Sequence, residues 1–255
     1  MVQIHNLISK LILISLLITT SAHAEWNVWQ TLKTSRVAQL CIAATCVLGI
    51  SALVWWYRAR AQSRLFRAVQ EGDINTVKGY LDAGYSVETS TAAGTTLLML
   101  ACINGRAVLV QQLVENYSAD VNAKDPRSWR PLMYVAMYPD PEVAYTITNY
   151  LISQGAAIKG RDAVDFIGQL PIHFAANFDK FKMVRLFLER GVYINQQDNL
   201  GRTPLILAAA AGHKIVVNYL IRGRNPDRTL TDHQGYTAHW HAQKNGHLAI
   251  AQLLQ

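Results

Sequence analysis

Five stretches of this chain align with one another at nearly constant spacing, and no other feature limits its fold so strongly. They are Thr96-Leu97-Leu98-Met99-Leu100-Ala101, Arg130-Pro131-Leu132-Met133-Tyr134-Val135, Leu170-Pro171-Ile172-His173-Phe174-Ala175, Thr203-Pro204-Leu205-Ile206-Leu207-Ala208 and Thr237-Ala238-His239-Trp240-His241-Ala242. Two residues before each stands Gly94, Ser128, Gly168, Gly201 or Gly235, in steps of 34, 40, 33 and 34. A second block recurs in phase: Gly72-Asp73 with Tyr80-Leu81, Gly105-Arg106 with Leu113-Val114, Gly212-His213 with Leu220-Ile221, and Gly246-His247 with Leu253-Leu254. A period of this length marks a solenoid, in which each unit buries its apolar face only by stacking on its neighbours.

The local chemistry of one unit follows. Thr caps the amides that open a short helix, and Pro at its first turn loses no hydrogen bond. Glycine after that helix permits a left-handed turn. The apolar period of Val216, Val217, Leu220 and Ile221 then builds a second helix. Tails such as Gly191-Val192-Tyr193-Ile194-Asn195 lead into a β-turn finger.

The T-P-L-H-x-A core at a period near 33 resembles the ankyrin repeat family, from about Leu65 to Gln255. Six repeats are expected, at 65–90, 91–124, 125–164, 165–197, 198–231 and 232–255, the first serving as an N-terminal cap without its own finger. The expected fold is an all-α repeat solenoid of helix-turn-helix units with β-turn fingers, preceded by a transmembrane helix. Pro139-Asp140-Pro141-Glu142 and Asp162-Ala163-Val164 read as insertions in the 125–164 repeat, the first as a protruding loop.

The chain before the repeats has a different composition. Residues 1–24 read as a signal peptide, with an apolar run from Leu11 to Thr20 and an Ala22-His23-Ala24 cleavage site. An uncleaved first helix is the alternative. A short extracytoplasmic segment follows at 25–36. Residues 37–57 hold no charge and end in Trp55-Trp56-Tyr57, which suits a bilayer core of about 30 Å with an aromatic edge. Trp55, Trp56, Tyr57, Arg58 and Arg60 are the expected membrane-interface residues, and 58–64 form a basic juxtamembrane segment.

Arginines after the span place the repeats in the cytoplasm by the positive-inside rule, and the layout points to a bacterial inner membrane. Repeats exported to the periplasm are the alternative. Of the net charge of +7, residues 58–70 carry +4. The basic balance therefore reports the membrane flank, and no basic stripe supports nucleic-acid binding.

Histidines two apart, as in His239-Trp240-His241, point in different directions on a helix, so no metal site is expected. The carboxylates Asp125, Asp165, Asp198 and Asp232 recur at one repeat position and read as shapers of the finger turn. Neither a nucleophile elbow nor a phosphate loop is present, so no enzyme, cofactor or small-molecule substrate is expected.

The resemblance implies protein recognition through the finger tips and the concave side of the first helices. Carried onto this chain, it gives Arg127, Trp129, Met137, Tyr138, Phe166, Ile167, Gln169, Asn177, Phe178, Leu200, Arg202 and Tyr236 as partner-binding residues, with aromatics gathered in the two central repeats. Leu248, Ile250, Leu253 and Leu254, in a closing helix without charge, offer an end-on self-association surface. The function expected is a membrane-anchored protein-protein interaction module. Two alternatives stand beside it: an immunity or inhibitor protein occluding a toxin or extracytoplasmic enzyme, and an accessory subunit of a membrane complex packed through small residues of its span.

Overall fold

In a computed structural model, residues 56–57 and 59–255 are described. The signal segment, the 37–57 span apart from Trp56 and Tyr57, and Arg58 lie outside the described residues. The chain divides into two units, Met1–Ala61 and Gln62–Gln255. In the first, Trp56 and Tyr57 are exposed, and the Arg60 guanidinium lies 5.2 Å from the Trp56 ring centroid. Among the described residues no helix is long and apolar enough to cross a membrane.

The second unit is built from paired helices. Repeat one pairs α1 (residues 62–71) with α2 (Ile74–Asp82). Then come α3 (Leu97–Ile103) with α4 (Ala107–Glu115), α5 (Pro131–Met137) with α6 (Pro141–Ser153), and α7 (Pro171–Asn177) with α8 (Phe181–Glu189). α9 (Pro204–Ala211) with α10 (Lys214–Gly223), and α11 (Ala238–Lys244) with α12 (Leu248–Leu254), complete the series. Helices α3, α5, α7, α9 and α11 pack in order as one layer; α4, α6, α8, α10 and α12 form a second. A helical repeat solenoid thus agrees with the sequence period.

The expected caps form. Thr96 Oγ1 accepts from Met99 N, Thr203 Oγ1 from Ile206 N and Thr237 Oγ1 from Trp240 N, while Pro131, Pro171 and Pro204 open the helices between and beside them. The small residues Ala101, Ala136, Ala175, Ala176, Ala208 and Ala209 are buried where neighbouring first helices meet. Three of the second helices are also tied backward at their starts. Arg106 Nε donates to Gln70 O, Lys180 Nζ donates to Pro139 O, and His213 Nε2 lies 2.8 Å from Asn177 O.

Two expectations need correction. Pro139-Asp140-Pro141-Glu142 makes no protruding loop. Asp140 Oδ1 accepts from Glu142 N and Val143 N, and Pro141 occupies the first helical turn, where its missing N–H costs nothing. The extra residues lengthen α6 instead, to 13 residues against 9 in α4 and α8. Ile250 and Leu254, expected on an end-on surface, are buried, because α12 turns that stripe onto α10 and α11. Leu248 stays exposed and Leu253 is half-buried.

Candidate functional site: the finger row and concave face

Four buried carboxylates build the fingers. In each, Oδ1 accepts two backbone amides, two and four residues onward: Arg127 and Trp129 for Asp125, Ile167 and Gln169 for Asp165, Leu200 and Arg202 for Asp198, Gln234 and Tyr236 for Asp232. This turn closes the finger and leaves Oδ2 to reach elsewhere. The fold requirement read from the recurring Asp is therefore met bond by bond.

The second oxygen joins repeats. Trp129 Nε1 donates to Asp165 Oδ2 at 3.2 Å, and Gln169 Nε2 donates to Asp198 Oδ2 at 3.1 Å. A backbone ladder runs beside these bonds: Phe166 N to Arg127 O, Asn199 N to Ile167 O and His233 N to Leu200 O. Pro126, at the matching place in its finger, has no N–H to give, and its ring packs on Gly94 instead. Four fingers, from repeat three to repeat six, thus form one hydrogen-bonded row.

Their surroundings push two of these carboxyls in opposite directions. Burial raises the Asp165 carboxyl above the usual carboxylate range, outweighing the two amides and the Trp129 indole that bond it, and the nearby Asp198 charge adds to the rise. Burial would raise Asp198 too, but the Arg202 guanidinium, 2.9 Å away at Nε, together with its backbone amide outweighs it and holds that carboxyl below the usual range.

The expected partner-binding residues separate into two groups. Phe166 is 65% exposed and Leu200 48%, each at a finger tip, and Phe178 is 37% exposed at the far end of α7. Asn177 is exposed, and Ile167 is half-buried between the tips. Arg127 keeps half its side chain in solvent, although its Nε donates to Asp125 and its guanidinium lies 3.8 Å from the Trp129 ring centroid.

The second group is occupied within the fold. The Trp129 ring meets Phe174 and Tyr134 edge-on at 5.0 and 5.7 Å, so it is a packing residue between repeats rather than an exposed anchor. Gln169 and Arg202 spend their donors on Asp198. Met137 and Tyr138 are half-buried, the Tyr138 ring lying against the backbone of Gly105. Tyr236 stacks face-on upon Trp240 at 3.5 Å, with Lys244 Nζ 4.5 Å from the Trp240 ring. Sequence reading placed these residues by repeat register, which tells the face but not the neighbour each side chain reaches.

His173 and His241 are bonded within the fold. His173 Nδ1 accepts from Leu170 N while Nε2 lies 3.0 Å from Gln196 O, and His241 Nε2 lies 2.7 Å from Asp232 Oδ2. Among the described residues no group of His, Cys, Asp and Glu could hold a metal ion.

A family model described as ankyrin repeats (3 copies) matches residues 65–162, 143–230 and 172–255. The chain is similar to neurogenic locus notch homolog protein 1 of Homo sapiens, 32% identical over 127 residues that cover 46% of this chain and 5% of that protein. The same-named protein of Danio rerio is 33% identical over 139 residues, covering 50% of this chain and 6% of that protein. The neurogenic locus Notch protein of Drosophila melanogaster is 32% identical over 130 residues, again 46% of this chain and 5% of that protein. The chain spans only a small fraction of the length of these relatives.

Proposed function

The chain belongs to the ankyrin repeat family, and on that premise we propose that it is a non-enzymatic, membrane-anchored interaction module that binds a protein partner through its finger row. Ankyrin repeats are generally protein-protein interaction modules, so recognition of a protein is the common ground; the anchor and the binding residues belong to this chain.

The observation that carries the binding reading is the pair Phe166 and Leu200. Both rings and branches stand in solvent on adjacent fingers, and each finger is clamped from beneath by a saturated carboxylate. A partner meeting this row pays little to order it, which raises affinity without added area. Arg127 flanks the pair with half its side chain in solvent, and Phe178 extends it along the concave side. An apolar anchor framed by Arg is the composition of an interface hot spot.

The test compares the proteins captured by the wild-type chain with those captured by Phe166→Asp/Leu200→Asp and by Ile215→Asp. Ile215 is as exposed as Phe166 but sits on a second helix, away from the fingers. Loss of a partner with the finger variant and its retention with the helix variant supports this reading. Equal capture by all three sinks it.

The anchor reading rests on the uncharged stretch 37–57 and the arginines after it. Reporters fused after Gln255, one active only in the cytoplasm and one only outside it, test the orientation. Activity outside would move the partner search to extracytoplasmic enzymes and toxins and favour an inhibitor role.

A further inference from the structure

In each repeat the second helix ends and the chain runs back toward the next finger, and these returns line one edge of the solenoid. Successive returns are joined. Tyr117 Oη donates to Asp82 Oδ1, Asp120 N to Glu88 Oε1, Ala157 N to Asn122 Oδ1 and Asp227 N to Asn195 Oδ1. Lys159 Nζ lies close to Gly191, which joins the third return to the fourth. The order of charges along the edge is therefore set by the fold.

That order segregates sign. The first two returns expose Asp82, Glu88, Glu115 and Asp120 against Lys124 alone. The later ones expose Lys159, Arg161, Arg190, Arg222, Arg224 and Arg228 against Asp162, Glu189 and Asp227, of which Glu189 pairs with Arg185 and Asp227 Oδ1 accepts from Thr229. Among the described residues Arg222, Arg224 and Arg228 have no ion-pair partner.

We propose that this edge is a self-association surface on which a second copy of the chain docks antiparallel, the acidic end of each copy against the arginine end of the other. A twofold axis crossing the edge near its middle return brings Asp82 and Glu88 of one copy opposite Arg222, Arg224 and Arg228 of the other, twice over. Such an arrangement is isologous and closes at two copies. Five returns spaced by about 10 Å of helix packing make an edge about 40 Å long, which suits a standard interface of about 800 Å² per partner. A polyanion would use the arginines and leave the acidic end idle; a second copy uses both. Its charged residues are other than the finger-tip residues Phe166 and Leu200, so its test and that of partner binding use different variants and stand or fall separately.

The experiment uses the full chain in two differently tagged forms. Wild type captures wild type at about 0.1 M salt and releases it at about 1 M, where the screening length falls to about 3 Å. An all-acidic edge (Arg222→Glu, Arg224→Glu, Arg228→Glu) and an all-basic edge (Asp82→Lys, Glu88→Lys, Glu115→Lys) each lose self-capture by at least tenfold, yet capture one another. Thermal unfolding of each variant checks that it is folded. If Glu88→Lys unfolds the chain by losing its bond to Asp120, the pair Asp82→Lys/Glu115→Lys replaces it. Wild type that does not capture itself overturns the proposal, as does a mixture of folded variants that fails to pair. Species larger than two chains overturn the closed antiparallel arrangement. Wild type that binds vesicles of anionic lipid while failing to self-associate assigns the arginines to a membrane surface instead.

Discussion

Trp129 Nε1 donates to Asp165 Oδ2 at 3.2 Å, so a side chain of repeat three satisfies the carboxylate that shapes the finger of repeat four. Gln169 does the same for Asp198 one repeat later, with an amide in place of an indole. In these two fingers the residue four places after the Asp links that finger to the next, whereas Arg202, at the same place, turns back to its own Asp198.

Trp129→Ala is expected to cost about 3 kcal/mol of stability, because it removes an aromatic packed between Tyr134 and Phe174. Trp129→Phe keeps the edge-on packing but strips Asp165 Oδ2 of its donor, at an expected cost of about 1–2 kcal/mol. Denaturant unfolding of both separates packing from hydrogen bonding. Wild-type stability for Trp129→Ala would return this residue to the exposed surface.

Gly105 has φ +63, and a Cβ built there would lie 2.2–2.6 Å from the Tyr138 ring. Gly84 has φ +92 with nothing within 4 Å. Alanine at Gly84 pays only the left-handed backbone cost, about 1 kcal/mol. Gly105→Ala pays that and must also displace a ring, so it should lower stability by about 2 kcal/mol more. Matched melts of the two variants measure the ring contact; equal losses would mean that Tyr138 moves aside without cost.

His173 is wholly buried, and burial holds its imidazole below the usual histidine range, so the fold keeps it neutral. The unfolded chain takes up a proton near pH 6.5 and the folded chain does so only at lower pH. Stability from this group is therefore present above about pH 6.5 and falls as the solution is acidified. Denaturant midpoints from about pH 7 to about pH 5 should decline in wild type and decline less in His173→Gln. Parallel slopes would mean that His173 contributes nothing to the acid sensitivity.

Phe166→Asp and Leu200→Asp should leave stability within about 0.5 kcal/mol of wild type, as surface changes away from packed features do. Both side chains stand in solvent, while the Asp165 and Asp198 carboxylates beneath them are buried and fully bonded. Thermal melts check this before any binding assay. A large loss would show that the tips are part of the fold and unfit as a binding probe.

Period, capping residues and the recurring Asp determined the architecture before any coordinates existed. Thr96, Thr203 and Thr237 cap as their type requires, the prolines open helices, and stacking follows because no repeat buries its apolar face alone. These are local rules, acting within a few residues, and a sequence carries them in full. What surrounds each finger side chain was decided only by the tertiary structure. Trp129 and Phe166 are both aromatics of the central fingers, yet one is clamped by Arg127, Phe174 and Asp165 while the other stands in water. Their difference lies in contacts made across 36 to 45 residues, where repeat register supplies the face and neighbour geometry supplies the rest. The same holds for Pro141, which ends a helix or starts one according to whether Asp140 turns its carboxylate onto the amides that follow.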